Sequence, residues 1–451
     1  MQVPQALLQS LQQLESFDQK AFEEVHAAEA QLTSIRLNKL KPCELNKDWE
    51  KKPIPWCPSA YYLQERPSFT FDPLFHAGAY YVQEASSMFL WEAMRQLAGP
   101  DTGKTVLDLC AAPGGKSTLL AAYYENGLIV SNEVIKSRAG ILVENITKWG
   151  TGQVVVTNND PAHFQSLPGF FDLMVVDAPC SGSGLFRKDP HAVKEWSEEN
   201  VLHCSKRQQR ILTDALPALK EEGILVYATC SYSIEEDEAI ADWLVAEMEL
   251  VSIQLQIQKE WGIVETCSSD QRAFGYRFYP DKVKGEGFFL AAFRNTRKAE
   301  QRKLKDHVLV IPDKRELTAI QDFSGIPAGH HFFKQADTIR AVKTEWVPAI
   351  RSLAGCLYIK KAGTAIGTIK GRDIIPAHEF ALSAIVKGHF PEIHLNLEQA
   401  LQYLKRKELA ISGAKMGWNL VFYGGLPLGW VKILPNRLNN YYPAEWRILK
   451  E

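Results

Sequence analysis

The chain has 451 residues, of which 46% are hydrophobic and 23% charged; this length exceeds a single hydrophobic core, and the composition is typical of globular proteins. No apolar run reaches the roughly 18 residues that a membrane helix needs, and the amino terminus lacks the basic flank and apolar core of a secretory signal. The sequence therefore argues against membrane and secreted proteins, and we expect several domains in a cytoplasmic protein.

The net charge of −2 hides an asymmetry between the two parts of the chain. Residues 296–451 carry 24 Lys and Arg against 14 Asp and Glu, whereas residues 1–295 carry 27 against 39. A basic tail behind an acidic half is consistent with a polyanionic partner bound through appended modules. A solvated, lysine-rich surface explains the same charges.

The amino-terminal residues predict an extension over 1–75. Residues 4–28 place apolar side chains at helical spacing, and residues 34–40 alternate apolar and polar side chains as a half-buried strand does. In that strand Arg36, Asn38 and Lys39 are expected on the open face. Residues 41–75 are rich in proline and aromatic side chains, which predicts irregular structure.

Residues 76–296 alternate predicted strands and helices in the rhythm of a doubly wound, Rossmann-like parallel sheet, so the fold class is α/β. The predicted strands are 105–109, 128–132, 153–157, 172–177, 223–228 and 287–293; the predicted helices are 84–98, 115–125, 136–148, 205–219 and 235–248. Residues 297–305 are basic and polar and predict a linker. Two β-rich modules, over 306–390 and 391–451, are expected beyond it.

The first predicted strand of this region runs into a glycine turn, residues 110–117 (CAAPGGKS). Cys110 stands where a Walker loop needs glycine, and Ala111 and Ala112 break a dinucleotide fingerprint. A tight turn at a helix start still offers backbone donors and a positive dipole end to a carboxylate. S-adenosylmethionine carries such a carboxylate on its methionine part.

Acidic residues follow the next two strands. Glu133 ends the second strand, where an acid can accept both ribose hydroxyls, and Asp160 follows the third strand, where it suits the adenine amino group. Each acid alone would more often be a helix cap or a turn residue. Together, in register at strand ends, they predict a nucleoside-containing cofactor.

Two cysteines stand at the ends of the following strands, Cys180 after 173–176 and Cys230 after 224–227. The carboxyl ends of parallel strands form the ligand-binding edge of an open α/β sheet, so nucleophilic chemistry beside a cofactor is predicted. The chain has eight cysteines but no Cys-x-x-Cys and no zinc spacing. No metal is expected, and the five cysteines outside the predicted site and its glycine turn are expected to be buried packing residues: Cys43, Cys57, Cys204, Cys267 and Cys356.

These segments resemble the Sun-like RNA cytosine-5 methyltransferases. The resemblance rests on 108–118 (DLCAAPGGKST), 177–182 (DAPCSG), 229–231 (TCS), 81–88 (YVQEASSM) and 285–289 (GEGFF), and it covers roughly residues 30–295. The chain is most similar to the bacterial branch that acts on 16S ribosomal RNA, the RsmF type. Its tail, with 424–432 (GGLPLGWVK), resembles the PUA-like RNA-binding module of that branch.

The resemblance implies a role for each site residue. Cys230 is the nucleophile, Cys180 assists product release, Asp177 holds the cytosine edge near the cofactor, and Lys116 reaches the target base or a phosphate. The cofactor, S-adenosylmethionine, is implied to contact the following residues: Cys110, Ala111, Ala112, Pro113, Gly114, Gly115, Lys116, Glu133, Asp160 and Asp177. DNA cytosine-5 methyltransferases take their nucleophile from a Pro-Cys motif like 179–180 and lack a second cysteine equivalent to Cys230.

The implied partner is ribosomal RNA within the small subunit, with no membrane partner, and the oligomeric state stays undetermined. Two alternatives remain open, a transfer RNA cytosine-5 methyltransferase and a ribosome-assembly factor that binds RNA without catalysis. Candidate RNA contacts, each equally explained as an ordinary surface charge, are Arg36, Asn38, Arg187, Lys188, Lys206, Arg207, Lys360, Lys361, Lys370, Arg372 and Lys432.

Overall fold

The computed structural model describes residues 2–14, 16–28, 32–97, 99, 103–298, 300, 304–371, 373–386, 390–411 and 413–450. Its amino-terminal stretch holds a small antiparallel sheet with the strand order β2-β3-β1-β4. The elements of this stretch are α1 (Gln5–Leu11), α2 (Gln19–Ala27), β1 (Thr33–Leu37), β2 (Lys51–Ile54), β3 (Cys57–Leu63), α3 (Pro73–Ala77) and β4 (Tyr80–Val82).

The middle stretch supplies most of the central sheet and the helices that cover it. Its helices are α4 (Leu90–Leu97), α5 (Gly115–Tyr123), α6 (Lys136–Trp149), α7 (Pro190–Glu195), α8 (Glu198–Ala215) and α9 (Glu238–Ala246). Its strands are β5 (Thr105–Asp108), β6 (Leu128–Asn132), β7 (Val154–Thr157), β8 (Phe171–Asp177), β9 (Leu219–Thr229), β10 (Leu250–Ile253), β11 (Val264–Cys267), β12 (Phe274–Phe278) and β13 (Phe288–Asn295).

The carboxyl-terminal stretch adds two further sheets. Its helices are α10 (Lys314–Ser324), α11 (Val347–Cys356), α12 (His378–Leu382) and α13 (Leu397–Leu404). Its strands are β14 (His330–Gln335), β15 (Thr338–Lys343), β16 (Ile359–Lys361), β17 (Thr364–Lys370), β18 (Asp373–Pro376), β19 (Glu392–His394), β20 (Gly417–Tyr423), β21 (Leu426–Leu434) and β22 (Arg437–Asn440). The two sheets run β14-β15-β17-β18 and β19-β20-β21-β22.

Within the described residues, the central sheet has ten strands; nine follow the order β11-β12-β13-β9-β8-β5-β6-β7-β16, and β10 pairs with β13. Strands β5 to β9 run parallel, and β13 and β16 run antiparallel to their neighbours. Side chains from α4, α5 and α6 pack on one face, and those from α8, α9 and α11 pack on the other. Because both faces are covered, the parallel strands are nearly continuous apolar runs.

The predicted α/β class and its doubly wound sheet are confirmed, and the predicted strands lie within a few residues of the observed ones. The sheet is mixed and not wholly parallel, because the strand predicted over 287–293, β13, runs antiparallel to β9. The prediction of irregular structure over 41–75 is wrong, since β2, β3 and α3 form there. The carboxyl-terminal stretch does more than form separate modules, because β16 extends the central sheet. Among the helices of the described residues, none has the length and apolarity required to span a bilayer.

The amino-terminal sheet is fastened to the central domain by polar side chains that were expected to be exposed. Arg36 is 1% exposed and donates hydrogen bonds to Gln83 Oε1 (3.1 Å), Thr118 Oγ1 (2.6 Å) and the Gly115 carbonyl (3.2 Å). It therefore braces the first turn of α5. The expectation of an open face is wrong for Arg36 and Asn38, because burial and hydrogen bonding give them a structural role.

Asn38 and Lys41 donate hydrogen bonds to the carboxyl-terminal end of α6. Asn38 Nδ2 donates to the carbonyls of Trp149 (2.8 Å) and Gly78 (2.9 Å), and Lys41 Nζ donates to those of Lys148 (2.6 Å) and Ala77 (2.7 Å). The last carbonyls of a helix have no partner within the helix, and a cation near them is favourable. One short segment thus satisfies the end of α6 and holds α3 against it.

Gly78 lies at the centre of this junction, and we expect Gly78→Ala to destabilise the protein strongly. Its φ is +75°, and an added Cβ would stand 1.8 Å from the Lys148 carbonyl oxygen. Gly425→Ala is the matched control, because Gly425 has a φ of +80° with nothing within 4 Å of a Cβ. The control should cost about 1 kcal/mol from the left-handed backbone alone.

In Gly78→Ala the new Cβ also overlaps the Lys148 carbonyl oxygen, so that α3 and α6 must move apart. The loss in free energy of unfolding should therefore exceed that of the control by about 2 kcal/mol or more. The measurement is the thermal unfolding midpoint of the two variants. Equal shifts for both would contradict the close contact at Gly78.

Candidate active site

The two predicted thiols lie side by side at the carboxyl ends of β8 and β9. Cys180 Sγ and Cys230 Sγ are 3.2 Å apart, and both cysteines are free. This separation exceeds a disulfide bond length and is that of a close non-bonded contact. The hydrogen bond with Cys230, burial and neighbouring negative charge raise the pKa of Cys180 well above its usual value.

A buried carboxylate, Glu236, joins the turns that carry the two thiols. It accepts from the Ser181 amide (2.9 Å), the Ser181 hydroxyl (2.5 Å) and the Ser231 hydroxyl (2.7 Å). Gln208 Nε2 donates a fourth hydrogen bond, at 3.0 Å. Because Ser181 and Ser231 directly follow Cys180 and Cys230, one acceptor fixes both turns.

A buried ion-pair group lies behind this network. Arg277 NH1 is 3.2 Å from Asp237 Oδ2 and donates to the Tyr232 carbonyl at 2.8 Å, and the same guanidinium pairs with Glu238. Thr229 Oγ1 donates to Asp237 Oδ1 at 2.7 Å. Buried charges persist where they are paired and hydrogen-bonded, so this group anchors the turn after β9.

The sequence reasoning missed Glu236 and the Asp237–Glu238–Arg277 group. The acidic run at 235–238 has the composition of a solvated helix start, and nothing in its spacing separates it from one. A usable signal is the serine after each cysteine, because two buried hydroxyls need a shared acceptor. Only the fold shows which carboxylate supplies it.

Lys116 and Asp177 form an ion pair beside the thiols. Lys116 Nζ lies 2.6 Å from Asp177 Oδ2, and the Asp177 side chain remains 32% exposed. Burial is the largest single influence and lowers the pKa of Lys116, but the charge and hydrogen bond of Asp177 and the charges of Asp108 and Cys230 together raise that pKa above its usual value. The ammonium group therefore stays charged within electrostatic range of the Cys230 sulfur.

The predicted cofactor turn, residues 110–115, lies between β5 and α5. Three hydrogen bonds hold its backbone. The Ala111 amide donates to the Asn132 carbonyl (2.8 Å). The side chains of Arg138 and Asn145 donate to the carbonyls of Ala112 and Pro113, each at 2.8 Å. Gly114 has a φ of +116° immediately before α5. Cys110 and Gly115 complete this turn, and burial raises the pKa of Cys110.

Acidic side chains follow β5, β6 and β7 along the same edge. Burial raises the pKa of Asp108 to about 7, and its Oδ1 is a buried oxygen without a hydrogen-bond partner among the described residues. Glu133 accepts from the Ile135 amide (2.9 Å) and lies 3.6 Å from Arg138. Asp160 caps the following turn through the Ala162 amide (3.0 Å).

This set of groups fits a nucleoside cofactor with a carboxylate. Carboxylates at Glu133 and Asp160 are acceptors for hydroxyl and amino groups, and the unpartnered oxygen of Asp108 stands beside the turn. Arg138 and the start of α5 are positive counterparts for a ligand carboxylate. Among the described residues no group of three or more His, Cys, Asp or Glu could hold a metal ion.

The other residues selected from sequence fall into different environments. Lys361 is buried against Glu379 (2.8 Å), Arg187 lies 3.6 Å from Glu286, Arg207 donates to Cys204 Sγ (3.5 Å), and Lys432 lies 3.7 Å from Asp373. Arg372 lies outside the described residues. Of the expected packing cysteines, Cys57 and Cys204 are buried, Cys43 and Cys356 are half-buried, and Cys267 is exposed, so that expectation is wrong for Cys267.

Three family models match separate parts of the chain. The model described as 16S rRNA methyltransferase RsmB/F matches residues 95–294, which contain both thiols and the cofactor turn. The N-terminal domain of 16S rRNA methyltransferase RsmF matches residues 3–85. The methyltransferase RsmF PUA domain matches residues 390–448.

Solved structures agree on the fold. A methyltransferase homolog protein from Pyrococcus horikoshii is 27% identical, with a TM-score of 0.52, and covers 65% of this chain and 100% of its own. NSun6 from Pyrococcus horikoshii, solved with SFG, is 19% identical with a TM-score of 0.54 and covers 65% of this chain and 99% of its own. The second likeness bears on the fold alone.

Curated relatives match along nearly the whole length. The ribosomal RNA small subunit methyltransferase F of Shewanella loihica is 31% identical over 438 residues, which cover 91% of this chain and 88% of that protein. The protein of the same name from Aliivibrio salmonicida is 30% identical over 437 residues, covering 91% and 90%. With all three family models in the same order along the sequence, this chain belongs to the RsmF family of 16S rRNA methyltransferases.

Proposed function

We propose that this chain methylates carbon 5 of cytosine in 16S ribosomal RNA through a covalent adduct on Cys230. Family membership makes it an RNA methyltransferase that uses a cofactor of the S-adenosylmethionine type. The observation that carries the finer proposal is the contact of two free thiols, 3.2 Å apart, beside the Lys116–Asp177 pair.

Cytosine carbon 5 is too weak a nucleophile to accept a methyl group unaided. The Cys230 thiolate adds to carbon 6, and the electron pair of the ring double bond moves toward carbon 5, which then forms the bond to the methyl group. The Lys116 ammonium, which is paired with Asp177, lies within electrostatic range of this sulfur. S-adenosylmethionine supplies the electrophilic methyl group when it is bound.

Asp177 is proposed to hold the cytosine edge at ring nitrogen 3. One of its oxygens is held by Lys116, and its side chain is partly exposed toward the open edge of the sheet. A proton shared between this carboxyl group and ring nitrogen 3 stabilises the negative charge that thiolate addition places on the ring. Lys116 is then a positioning residue for Asp177.

The adduct is released when the proton on carbon 5 leaves and the carbon 6–sulfur bond breaks, which restores the ring double bond and regenerates the Cys230 thiolate. Cys180, as base or through a water molecule, is proposed to take that proton. Its contact with Cys230 supports this role, since the atoms involved are neighbours on the same ring.

The appended segments are proposed to bind the RNA. We assign residues 76–296 to catalysis, and residues 1–75, 306–390 and 391–451 to RNA binding, with ribosomal RNA of the small subunit as the partner. The excess of 24 basic over 14 acidic residues in 296–451 supports this division. A cytosine must be unstacked or single-stranded to reach the thiols.

The two cysteines should respond differently to substitution. Cys230→Ala removes the nucleophile, so methyl transfer to small ribosomal subunits should fall by about 10³-fold or more. Cys180→Ala should let the adduct form and slow its release, so that a covalent protein–RNA species accumulates on denaturing gels. The reverse pattern would assign the nucleophile to Cys180, and Cys267→Ala, which changes an exposed thiol outside the site, is the control.

The substrate is tested by bisulfite sequencing of total RNA from cells with and without the gene. We expect a 5-methylcytosine signal in 16S ribosomal RNA to disappear on deletion and to return with the wild-type chain but not with Cys230→Ala. Loss of a signal in transfer RNA instead would assign the transfer RNA alternative. No lost signal, together with no transfer of labelled methyl groups in vitro, would favour the non-catalytic assembly factor.

Glu236 should control the rate of adduct formation without touching the substrate. Glu236→Gln replaces an oxygen that accepts hydrogen bonds with an amino group facing donors, so the two turns separate, and displacements of this kind cost on the order of 10²-fold in rate. The measurement is the rate of covalent adduct formation in the Cys180→Ala background, with the KM for RNA expected to stay unchanged. Glu235→Gln is the neighbouring control, and equal rates for both variants would contradict the role of Glu236.

A further inference from the structure

Strand β16 brings a segment from beyond the methyltransferase region to the cofactor edge of the central sheet. It pairs antiparallel with β7, with Ile359 opposite Thr157. Because the pairing is antiparallel, the residues immediately before β16 lie next to the carboxyl end of β7. That is the edge that carries Glu133 and Asp160.

Tyr358, the residue before β16, is fastened to this edge through its backbone. Its amide donates to Asn159 Oδ1 (3.0 Å), and its carbonyl accepts from Asn159 Nδ2 (3.1 Å) and from the Asn158 amide (3.2 Å). Asn158 Nδ2 in turn donates to the carbonyls of Glu133 (2.6 Å) and Val134 (3.0 Å). These bonds tie the three segments into one rigid rim.

The side chains of this rim leave apolar surface open to a ligand. Tyr358 is 65% exposed, Val134 53% and Ile135 48%. Leu357 and Ile359, on either side of Tyr358, pack into the core under α11. Because successive side chains of an extended segment point to opposite faces, the Tyr358 ring lies outside that core. Its backbone is held in place by the hydrogen bonds to Asn158 and Asn159.

We propose that Tyr358 stacks against the adenine ring of the cofactor, so that the carboxyl-terminal stretch supplies one wall of the cofactor site. This inference rests on the proposed function and on the sequence prediction that Glu133 binds the ribose and Asp160 the adenine amino group. Adenine presents an apolar face and a polar edge. Tyr358 and Val134 match the face, and Asp160 matches the edge.

An RNA base is the other planar ligand that an exposed tyrosine could take, and RNA-binding proteins commonly use such rings. Adenine of the cofactor is favoured because the Tyr358 backbone is bonded to the two residues that immediately precede Asp160. The carboxylates of this rim are each paired with an arginine, Glu133 with Arg138 (3.6 Å) and Asp160 with Arg210 (3.5 Å), so the argument for adenine rests on position and not on charge.

The test is calorimetric binding of S-adenosylmethionine and S-adenosylhomocysteine to the full-length wild type, Tyr358→Ala, Tyr358→Phe and Val308→Ala. Tyr358→Ala should weaken the Kd of both ligands on the order of tenfold, the usual contribution of one aromatic ring stacked on a base. Tyr358→Phe keeps the ring and should bind as the wild type does. Val308→Ala removes an exposed apolar side chain of the same stretch outside the strand and should change nothing.

Unchanged cofactor affinity in Tyr358→Ala, with the wild type binding normally, would overturn the inference and leave the proposed function intact. If that variant instead loses affinity for 16S ribosomal RNA at unchanged cofactor affinity, the ring belongs to the RNA surface. A wild type that binds neither ligand would defeat the proposed function itself. Since Tyr358 is exposed, its truncation should leave the thermal midpoint within about 2 °C of the wild type.

Discussion

The arrangement of the candidate active site depends on one buried carboxylate, Glu236, that accepts hydrogen bonds from two turns. Cys180 and Cys230 come from separate strands, and nothing covalent holds their sulfur atoms 3.2 Å apart. Glu236 does so by accepting from the residues that follow each cysteine. Removing an ionised oxygen from water is costly, and the four hydrogen bonds donated to it offset that cost only in this geometry.

The same principle attaches the amino-terminal sheet. Arg36, Asn38 and Lys41 are polar, yet they are buried because helix ends present carbonyl groups that need donors. Arg36 reaches the first turn of α5, which directly follows the cofactor turn, and Asn38 and Lys41 reach the end of α6. The extension is therefore a mechanical support of the catalytic domain as well as a predicted RNA-binding segment.

The carboxyl-terminal stretch likewise forms part of the central sheet. By pairing with β7, β16 makes β7 an interior strand and covers the hydrogen-bonding groups that β7 would otherwise leave free. Helix α11, which precedes β16 in the same stretch, packs on one face of the central sheet, where its residues Ile350 and Leu353 are buried. The segments on both sides of the methyltransferase region thus shape the edge at which the chemistry is proposed.

The sequence by itself determined the α/β class, the positions of the central strands along the chain and the placement of Cys180, Cys230, Glu133 and Asp160 at strand ends. Apolar periodicity and the position of a residue at a strand end are local properties, so the sequence carries them. The tertiary structure decided which polar residues are buried and what they bind. In the sequence, Arg36 and Asn38 have the pattern of exposed residues, and Glu236 has that of a solvated helix start. In the structure, each of them bonds to a residue tens of positions away along the chain. Hydrogen-bond partners at that separation leave no periodic signal, so only the folded chain identifies them.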